Sequence, residues 1–175
     1  MLASSFKNCS KSTKNIMIKF NKETFQKAFL AGIFSAFTIG VLTILTYKST
    51  FGLFIAGSFG SSMVLLFGFP ESPFAQPKNV FFGHLVTALV GVVFVTLVPL
   101  PLYINIALAV GVGIFLMILL NIVHPPAGGN PIMVIIGSAS FEYLINPIIF
   151  GCILILLIAI IVNKFLLKKN YPTKK

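Results

Sequence analysis

The sequence predicts an all-α, polytopic transmembrane helix bundle, and three observations carry that prediction. The chain is 57% hydrophobic and only 9% charged, whereas an ordinary soluble domain is about 25% charged. Its mean hydropathy is +1.02. Its thirteen basic residues, all lysines, mostly flank apolar runs of about 20 residues, which is the length that crosses a bilayer. Lipid is therefore expected to be the solvent for most of the chain.

Six apolar segments follow one another along the chain. We expect four full spans plus two shorter or re-entrant segments, or else six spans. The second segment carries Gly57, Ser58, Gly60, Ser61 and Ser62 in its middle, which favours either close helix packing or an unwound stretch that offers hydroxyl groups. The fifth is only half a span long. The segments cover residues 28–47, 51–69, 80–98, 103–123, 131–139, and 146 or 147 to 167.

The distribution of lysines predicts the topology. Most lysines lie before the first apolar segment or after the last, and only Lys48 and Lys78 lie between. Cytoplasmic loops carry the excess of basic residues, so both termini are expected in the cytoplasm and the number of crossings should be even. The sequence thus divides into a lysine-rich cytoplasmic tail (1–27), a transmembrane domain (28–167) and a second cytoplasmic tail (168–175).

Several classes of function are disfavoured. Nucleic-acid binding is not expected despite the net charge of +10, because no polar domain could carry a basic patch. Cys9 and Cys152 occupy a polar tail and an apolar run, so they predict neither a disulfide nor a metal pair. No nucleophile–base pair, metal-ligand cluster or phosphate-binding glycine loop is recognisable. We therefore expect a protein that is not an enzyme and needs no cofactor or metal.

Residues 124–131, HPPAGGNP, interrupt the apolar pattern most strongly. Two prolines cannot continue a helix and two glycines free the backbone, which singles out the substrate-binding candidates His124, Pro125, Pro126, Gly128, Gly129 and Asn130. Asn130 is placed as the N-cap of a helix that has Pro131 at its first position. A helix N-terminus attracts small anions, so an anion site is predicted here; the alternative is a plain turn.

A second proline-bearing loop, residues 70–79, repeats this logic. Asn79 is a candidate cap of the third helix, and Ser72 and Gln76 are candidate neutral donors. In both loops a glycine follows six residues after the last proline, a weak internal repeat, and paired interruptions of this kind point to transport sites. The alternative is a solvated loop in which Glu71 and Lys78 are ordinary interfacial charges.

His84 lies about one turn inside the third segment. An ionisable side chain in an apolar span is a functional candidate because it is costly to bury there. Together with His124, it could supply hydrogen bonds to an anion or a proton-coupling step. The alternative is a neutral histidine satisfied by a neighbouring helix.

Residues 71–92, ESPFAQPKNVFFGHLVTALVGV, and residues 124–131 resemble the two signature regions of the HPP family of integral membrane proteins. The resemblance covers residues 32–160. It implies a helical membrane domain usually described with four spans, found in bacteria and plastids, with relatives implicated in nitrite transport. Lys78 stands where the family pattern leads us to expect arginine, so the two-pronged recognition of an anion by a guanidinium is not available there.

Two functional hypotheses follow. The first is a transporter or channel for a small inorganic anion, with nitrite implied by the resemblance, in a bacterial inner (plasma) membrane. The second is a non-transporting membrane module that binds a ligand or a partner protein. Besides the lipid bilayer and the anion, a homo-oligomer is an expected partner arrangement, because four to six helices make a thin wall for a transport pathway.

Overall fold

A computed structural model describes residues 21–50 and 52–173. Within these residues all regular secondary structure is helical, which confirms the prediction of an all-α membrane bundle. Three π-helical turns, Val64–Gly68, Leu144–Ile149 and Ile161–Leu166, and two 3-10 turns, Pro73–Ala75 and Pro125–Gly129, complete the chain. The α-helices are α1 (Lys22–Lys48), α2 (Gly57–Met63), α3 (Pro77–Leu97), α4 (Leu102–Leu119), α5 (Asn130–Ile136) and α6 (Phe150–Ile160).

Four helical segments of the described chain are long and apolar enough to cross a membrane. They are α1, α3, α4 and the continuous segment Leu144–Leu166, which is α6 with a π-helical turn at either end. The remaining two, α2 with its π-helical turn (Gly57–Gly68) and α5, are too short to span alone. The expectation of four full spans plus two shorter segments is therefore confirmed.

The two short segments nevertheless run from one face of the bundle to the other. Gly52 follows the end of α1, whereas Phe67 shares a pocket with Lys27 near the start of α1. In the same way, Asn121 shares a pocket with the start of α3, and Glu142 shares one with Gly52 on the opposite face. Each short helix is thus continued by chain of other geometry, and the two segments are interrupted helices that reach both faces of the bundle.

Segment boundaries differ from the predicted ones where the backbone leaves helical geometry. The second segment is non-helical from Gly52, where φ is 96°, to Ala56, and becomes helical only at Gly57. The fourth ends at Leu119 instead of 123, because Asn121 takes a φ of 52°, which a right-handed helix does not allow.

Both predicted asparagine caps are wrong. The N-cap of α3 is Gln76, and Asn79 lies inside the first turn. The N-cap of α5 is Gly129, and Asn130 is already helical, with φ −59° and ψ −46°. Each asparagine side chain instead bonds to a distant part of the chain, as described below.

The ends of the predicted domains lie partly outside the described residues. Residues 1–20 of the first predicted tail and residues 174 and 175 of the second are not among the described residues. Helix α1 begins at Lys22, where the Asn21 side chain accepts a hydrogen bond of 2.7 Å from the Thr24 amide. At the other end, Tyr171 is buried and its hydroxyl donates to the Ala75 carbonyl at 2.9 Å. The last described residues therefore pack on the loop that precedes α3.

Helix α3 packs against α5 through small side chains. A Cβ atom added at Gly91 would lie 2.9 Å from Val134 Cβ and 3.0 Å from Pro131 Cα. Separations this short are not tolerated without movement, so the absence of a side chain sets the distance between the two helices. This contact holds α5 beside the middle of α3.

We predict that Gly91→Ala destabilises the bundle by about 1–3 kcal/mol, because the new methyl group overpacks the contact with α5. Thermal unfolding of the purified protein in detergent would measure the change. Gly111→Ala in α4 is the matched control, since nothing lies within 4 Å of a Cβ at that position. Equal melting temperatures for the two variants would contradict this account of the packing.

Candidate functional site

Five polar side chains form a buried group where the interrupted segments meet α3. We call Ser58, Ser62, His84, His124 and Asn130 the histidine cluster. Ser58 is 7% exposed and the other four are fully buried. The cluster draws on α2, α3, the segment before the Pro125–Gly129 turn, and the start of α5. Polar groups buried in a protein need partners inside it, because they have lost their hydrogen bonds to water.

Local structure explains why these residues converge. Ser58 and Ser62 are four residues apart on α2 and therefore share one face of that helix. Gly83, which precedes His84 on α3, lets the segment that bears His124 approach this helix closely. A Cβ atom at Gly83 would lie 2.9 Å from His124 Cβ. The two imidazole rings meet edge to face, with centroids 4.9 Å apart.

The Ser62 hydroxyl bridges the two histidines. Its Oγ lies 2.9 Å from His84 Nε2 and 2.9 Å from His124 Nε2. The Ser58 hydroxyl donates to Asn130 Oδ1 at 2.6 Å, and the Asn130 Nδ2 lies 3.0 Å from His84 Nδ1. The five side chains therefore form one continuous hydrogen-bonded network.

The tautomer of His124 follows from its outer partner. His124 Nδ1 lies 2.7 Å from the Phe74 carbonyl oxygen, which can only accept a hydrogen bond. Nδ1 must therefore carry a proton. In the neutral imidazole Nε2 is then bare and accepts the Ser62 hydroxyl proton.

The tautomer of His84 follows from the opposite end of the network. Asn130 Nδ2 lies 3.1 Å from the His84 carbonyl oxygen and 3.0 Å from Thr87 Oγ1, whose own proton goes to the Gly83 carbonyl. These acceptors fix the amide orientation and turn Nδ2 toward His84 Nδ1. An amide nitrogen cannot accept a hydrogen bond, so His84 Nδ1 is the bare nitrogen and shares the two N–H groups with the other two acceptors. Neutral His84 then carries its proton on Nε2 and donates it to Ser62.

Ser62 fits both assignments with its single proton. It accepts from His84 and donates to His124 at 2.9 Å, which is nearer than its other acceptor, the Ser58 carbonyl at 3.1 Å. All bonds between the side chains of the network then point the same way, from Asn130 to Phe74. Two independent ends of the network fix the same direction. Loss of the Ser62 hydroxyl would leave a buried imidazole N–H without an acceptor, which costs about 1–3 kcal/mol.

The pKa of His124 agrees with a neutral imidazole. Burial lowers this pKa from 6.5 to about 4, and the hydrogen bond to the Phe74 carbonyl opposes the shift only in part. Desolvation penalises the charged ring more than one hydrogen bond can offset. His124 is therefore neutral near pH 7.

The two proline-bearing loops pack directly on each other. His124 donates to the Phe74 carbonyl, as above, and Asn79 Nδ2 donates to the Val123 carbonyl at 2.9 Å. Of the residues singled out from the sequence, His84, His124 and Asn130 thus meet in the cluster, and Asn79 joins the loops beside it.

Other residues singled out from the sequence shape the loops without entering the cluster. Gln76 Nε2 donates to the carbonyls of Pro70 and Ser72, both at 2.9 Å, and its Oε1 accepts from the Thr173 amide. The Ser72 hydroxyl accepts from the Phe74 amide at 3.3 Å. Pro125, Pro126, Gly128 and Gly129 form the 3-10 turn that carries the chain from His124 to α5.

A polar pocket of about 480 Å³ lies on the outer side of these loops. Gln76, Lys78, Asn79 and Asn121 contribute its polar groups, and residues 172 and 173 close one side. Glu71 lines a different pocket, together with Lys27. Among the described residues, Lys78 is the basic side chain of this pocket. Asn79 stands between the pocket and the segment that bears His124.

Three residues of this hydrogen bonding were not among the predicted site residues. Ser58 and Ser62 lie in a segment for which close packing and an offer of hydroxyl groups were both left open, and Thr87, which accepts from Asn130, was not singled out. The signal for the serines is their spacing of four on a short, small-residue helix. Thr87 lies one helical turn after His84, so its hydroxyl reaches the same amide as the histidine.

The fold and the site together define an integral membrane protein with a buried polar site between discontinuous helices. The chain belongs to the HPP family: the family's "HPP, transmembrane region" matches residues 20–172. Two transmembrane proteins of Dictyostelium discoideum are similar to it. One is 37% identical over 125 residues, 67% of this chain and 44% of the relative. The other is 38% identical over 142 residues, 75% of this chain and 46% of the relative.

The chain spans less than half the length of these two relatives. No solved structure gives a significant match to it.

We predict that acid destabilises the protein through His124. Its pKa is lower in the folded state, so the unfolded chain takes up the proton first and stability falls as the pH drops from 6.5 to about 4. The loss attributable to this group is about 3 kcal/mol over that interval. Thermal unfolding in detergent across this pH range would measure it.

His124→Gln is the variant that isolates this effect. It should melt at a lower temperature near neutral pH and show a shallower decline with acid, because one of the two buried histidines is gone. An unchanged pH slope would contradict the assignment to His124.

Proposed function

We propose that this protein is a transporter or channel for a small inorganic anion, and that nitrite, which the family resemblance suggests, is the anion. The observation that carries the proposal is the histidine cluster. Five polar side chains buried among apolar helices are costly in a membrane protein, and ionisable residues in such positions typically mark a substrate or ion pathway.

The arrangement of the chain supports transport. The cluster lies where the two interrupted segments, which contain α2 and α5, meet the continuous helix α3. Binding sites of membrane transporters are typically built where broken helices meet near the middle of the bilayer. A simple anchor or packing surface needs no such interruption.

The chemistry of the cluster suits an anion. Its hydroxyl, imidazole and amide groups supply neutral hydrogen-bond donors. The chain has three acidic residues, Glu23, Glu71 and Glu142, and all three are exposed and line pockets at the faces of the bundle. A permeating anion would therefore meet donors without meeting a buried carboxylate.

The outer pocket supplies an approach for the anion. Lys78 is exposed there beside the amides of Gln76, Asn79 and Asn121. A basic side chain at a pocket raises the local concentration of anions. From the pocket, the path to the cluster is closed by the contact between His124 and Phe74. Passage of an anion then requires the two proline-bearing loops to separate.

Charge also supports an orientation. Lys27, Lys78 and Lys169 line pockets on one face of the bundle, and Lys48 ends α1 at the other. We place the lysine-rich face and both termini in the cytoplasm, with the bacterial plasma membrane as the proposed location. We assign the protein no enzymatic activity, because the Ser62 hydroxyl, although it donates to His124, is fully buried and held between the two histidines, where it is not presented to a substrate as a nucleophile.

We predict nitrite uptake by the purified protein in proteoliposomes, above that of empty vesicles, followed by a colorimetric assay. His124→Ala should reduce uptake to the level of empty vesicles, because it removes the imidazole that Ser62 links to His84 in the cluster. Gly111→Ala, a substitution at an open position on α4, should leave uptake unchanged.

Absence of nitrite uptake by the folded, reconstituted protein would contradict the proposed transport function. It would favour the alternative of a non-transporting membrane module. Equal uptake by wild type and His124→Ala would remove the cluster from the pathway.

Lys78 provides a second prediction. Lys78→Gln should raise the nitrite concentration for half-maximal uptake by up to about fivefold, because an exposed charge contributes up to about 1 kcal/mol. The effect should shrink at high salt, which screens the lysine. Lys48→Gln, on the opposite face, is the control for the loss of one charge. A salt-independent effect, or the same effect from both variants, would contradict the role of Lys78.

A further inference from the structure

The direction of the hydrogen bonds in the histidine cluster has a consequence beyond binding. From Asn130 to Phe74, each group donates to the next: the Asn130 amide to His84, His84 to Ser62, Ser62 to His124, and His124 to the Phe74 carbonyl. Between the two rings stands one hydroxyl, which both donates and accepts. Such an unbroken chain, in which every middle member can give up one proton while taking another, is suited to passing a proton along its length.

We propose that a proton moves between His84 and His124 through the Ser62 hydroxyl, and that its passage separates the two proline-bearing loops and so couples anion movement to proton movement. The inference rests on the proposed transport function. It adds the coupling ion, the path of that ion and the contact that the ion opens.

The transfer balances atom by atom. A proton from water, which reaches the site when the contact between Asn130 and His84 opens, binds the bare Nδ1 of His84. The Nε2–H bond of His84 breaks as that proton passes to Ser62 Oγ, and the Ser62 O–H bond breaks as its proton passes to Nε2 of His124. His124 then loses its Nδ1 proton to water at the loop face. One proton enters, one leaves, and the three side chains end neutral.

Passage of one proton changes the contacts at the two ends of the hydrogen-bonded network. The inner bonds simply reverse direction, so Ser62 still donates to one ring and accepts from the other. At the outer end, however, a bare His124 Nδ1 now faces the Phe74 carbonyl at 2.7 Å, and two acceptors repel. At the inner end, a protonated His84 Nδ1 faces the Asn130 amide nitrogen at 3.0 Å, and two donors repel.

These repulsions act on the contacts that close the site. The His124–Phe74 bond joins the two proline-bearing loops, and the His84–Asn130 bond joins α3 to the start of α5. Each proton that passes therefore weakens both contacts at once. Return of the rings to their first tautomers, through water admitted by the open loops, restores the closed arrangement.

The surroundings allow the proton to keep moving. His84 is faced by Ser58 and Ser62 from α2, by Asn130 from α5, and by His124, which is the titratable group among them. His124 is faced in turn by His84, Ser62 and the Phe74 carbonyl. All three carboxylates of the chain are exposed at the faces of the bundle. No carboxylate stands in the path to hold the proton.

The tautomers can be measured without any transport assay. The chain contains two histidines, so a sample labelled with 15N in its histidine rings reports only on His84 and His124. At neutral pH, NMR of the wild-type protein should show two neutral rings of opposite type, one protonated at Nδ1 and the other at Nε2. Two rings of the same type, or a charged ring, would overturn the proposed path whatever the protein transports.

Proton movement itself is tested with a pH-sensitive dye inside the proteoliposomes. A nitrite gradient should drive a proton flux in the wild type, above that of empty vesicles. Ser62→Ala should reduce the flux to the level of empty vesicles. Ser61→Ala is the matched control, since its exposed hydroxyl on the same helix bonds only to the Ser58 carbonyl and should leave the flux intact.

The outcomes separate this inference from the proposed function. If wild-type vesicles take up no nitrite, the transport function fails, while the NMR result still decides the hydrogen-bond path. Nitrite uptake without proton flux, or a flux that survives Ser62→Ala at the level of Ser61→Ala, would overturn the coupling and leave transport standing.

Discussion

The structure depends on one constraint, the need of buried polar groups in a membrane for partners inside the protein. Two of the six segments are broken, and each break brings polar groups into the apolar interior. The Ser62 hydroxyl meets this need for α2 and for both histidines at once. Because the hydroxyl joins α2 to α3 and to the segment that bears His124, the cluster also determines how α2 and that segment are arranged around α3.

Close packing makes that arrangement possible. The absence of side chains at Gly83 and Gly91 lets the His124 segment and α5 lie against α3. The two glycines are eight residues apart, so they fall on the same face of the helix, with Thr87 midway between them. On that face, the two glycines allow close backbone contact, and the Thr87 hydroxyl between them accepts a hydrogen bond from Asn130. Packing and polar recognition are thus carried by one stripe of α3.

The sequence predicts the elements whose cause is local and fails where the cause is distant. Four long apolar runs are visible directly, and His84 and His124 attract attention because buried histidines are costly. The cap assigned to Asn130 was wrong because its amide is taken by His84, 46 residues away. Ser58 and Ser62 could be predicted only as packing residues or as hydroxyl groups of an unspecified site, since nothing near them in the chain indicates the histidines they contact.

The docking of the chain's last described residues has a practical consequence. Tyr171 is anchored on Ala75, and the Thr173 amide on Gln76, at the rim of the polar pocket. Anything attached directly after residue 173 emerges beside that opening. A fluorescent reporter fused at this point would lie over the polar pocket and either obstruct it or displace Tyr171 from Ala75. Labels for assays are better attached through the residues ahead of α1.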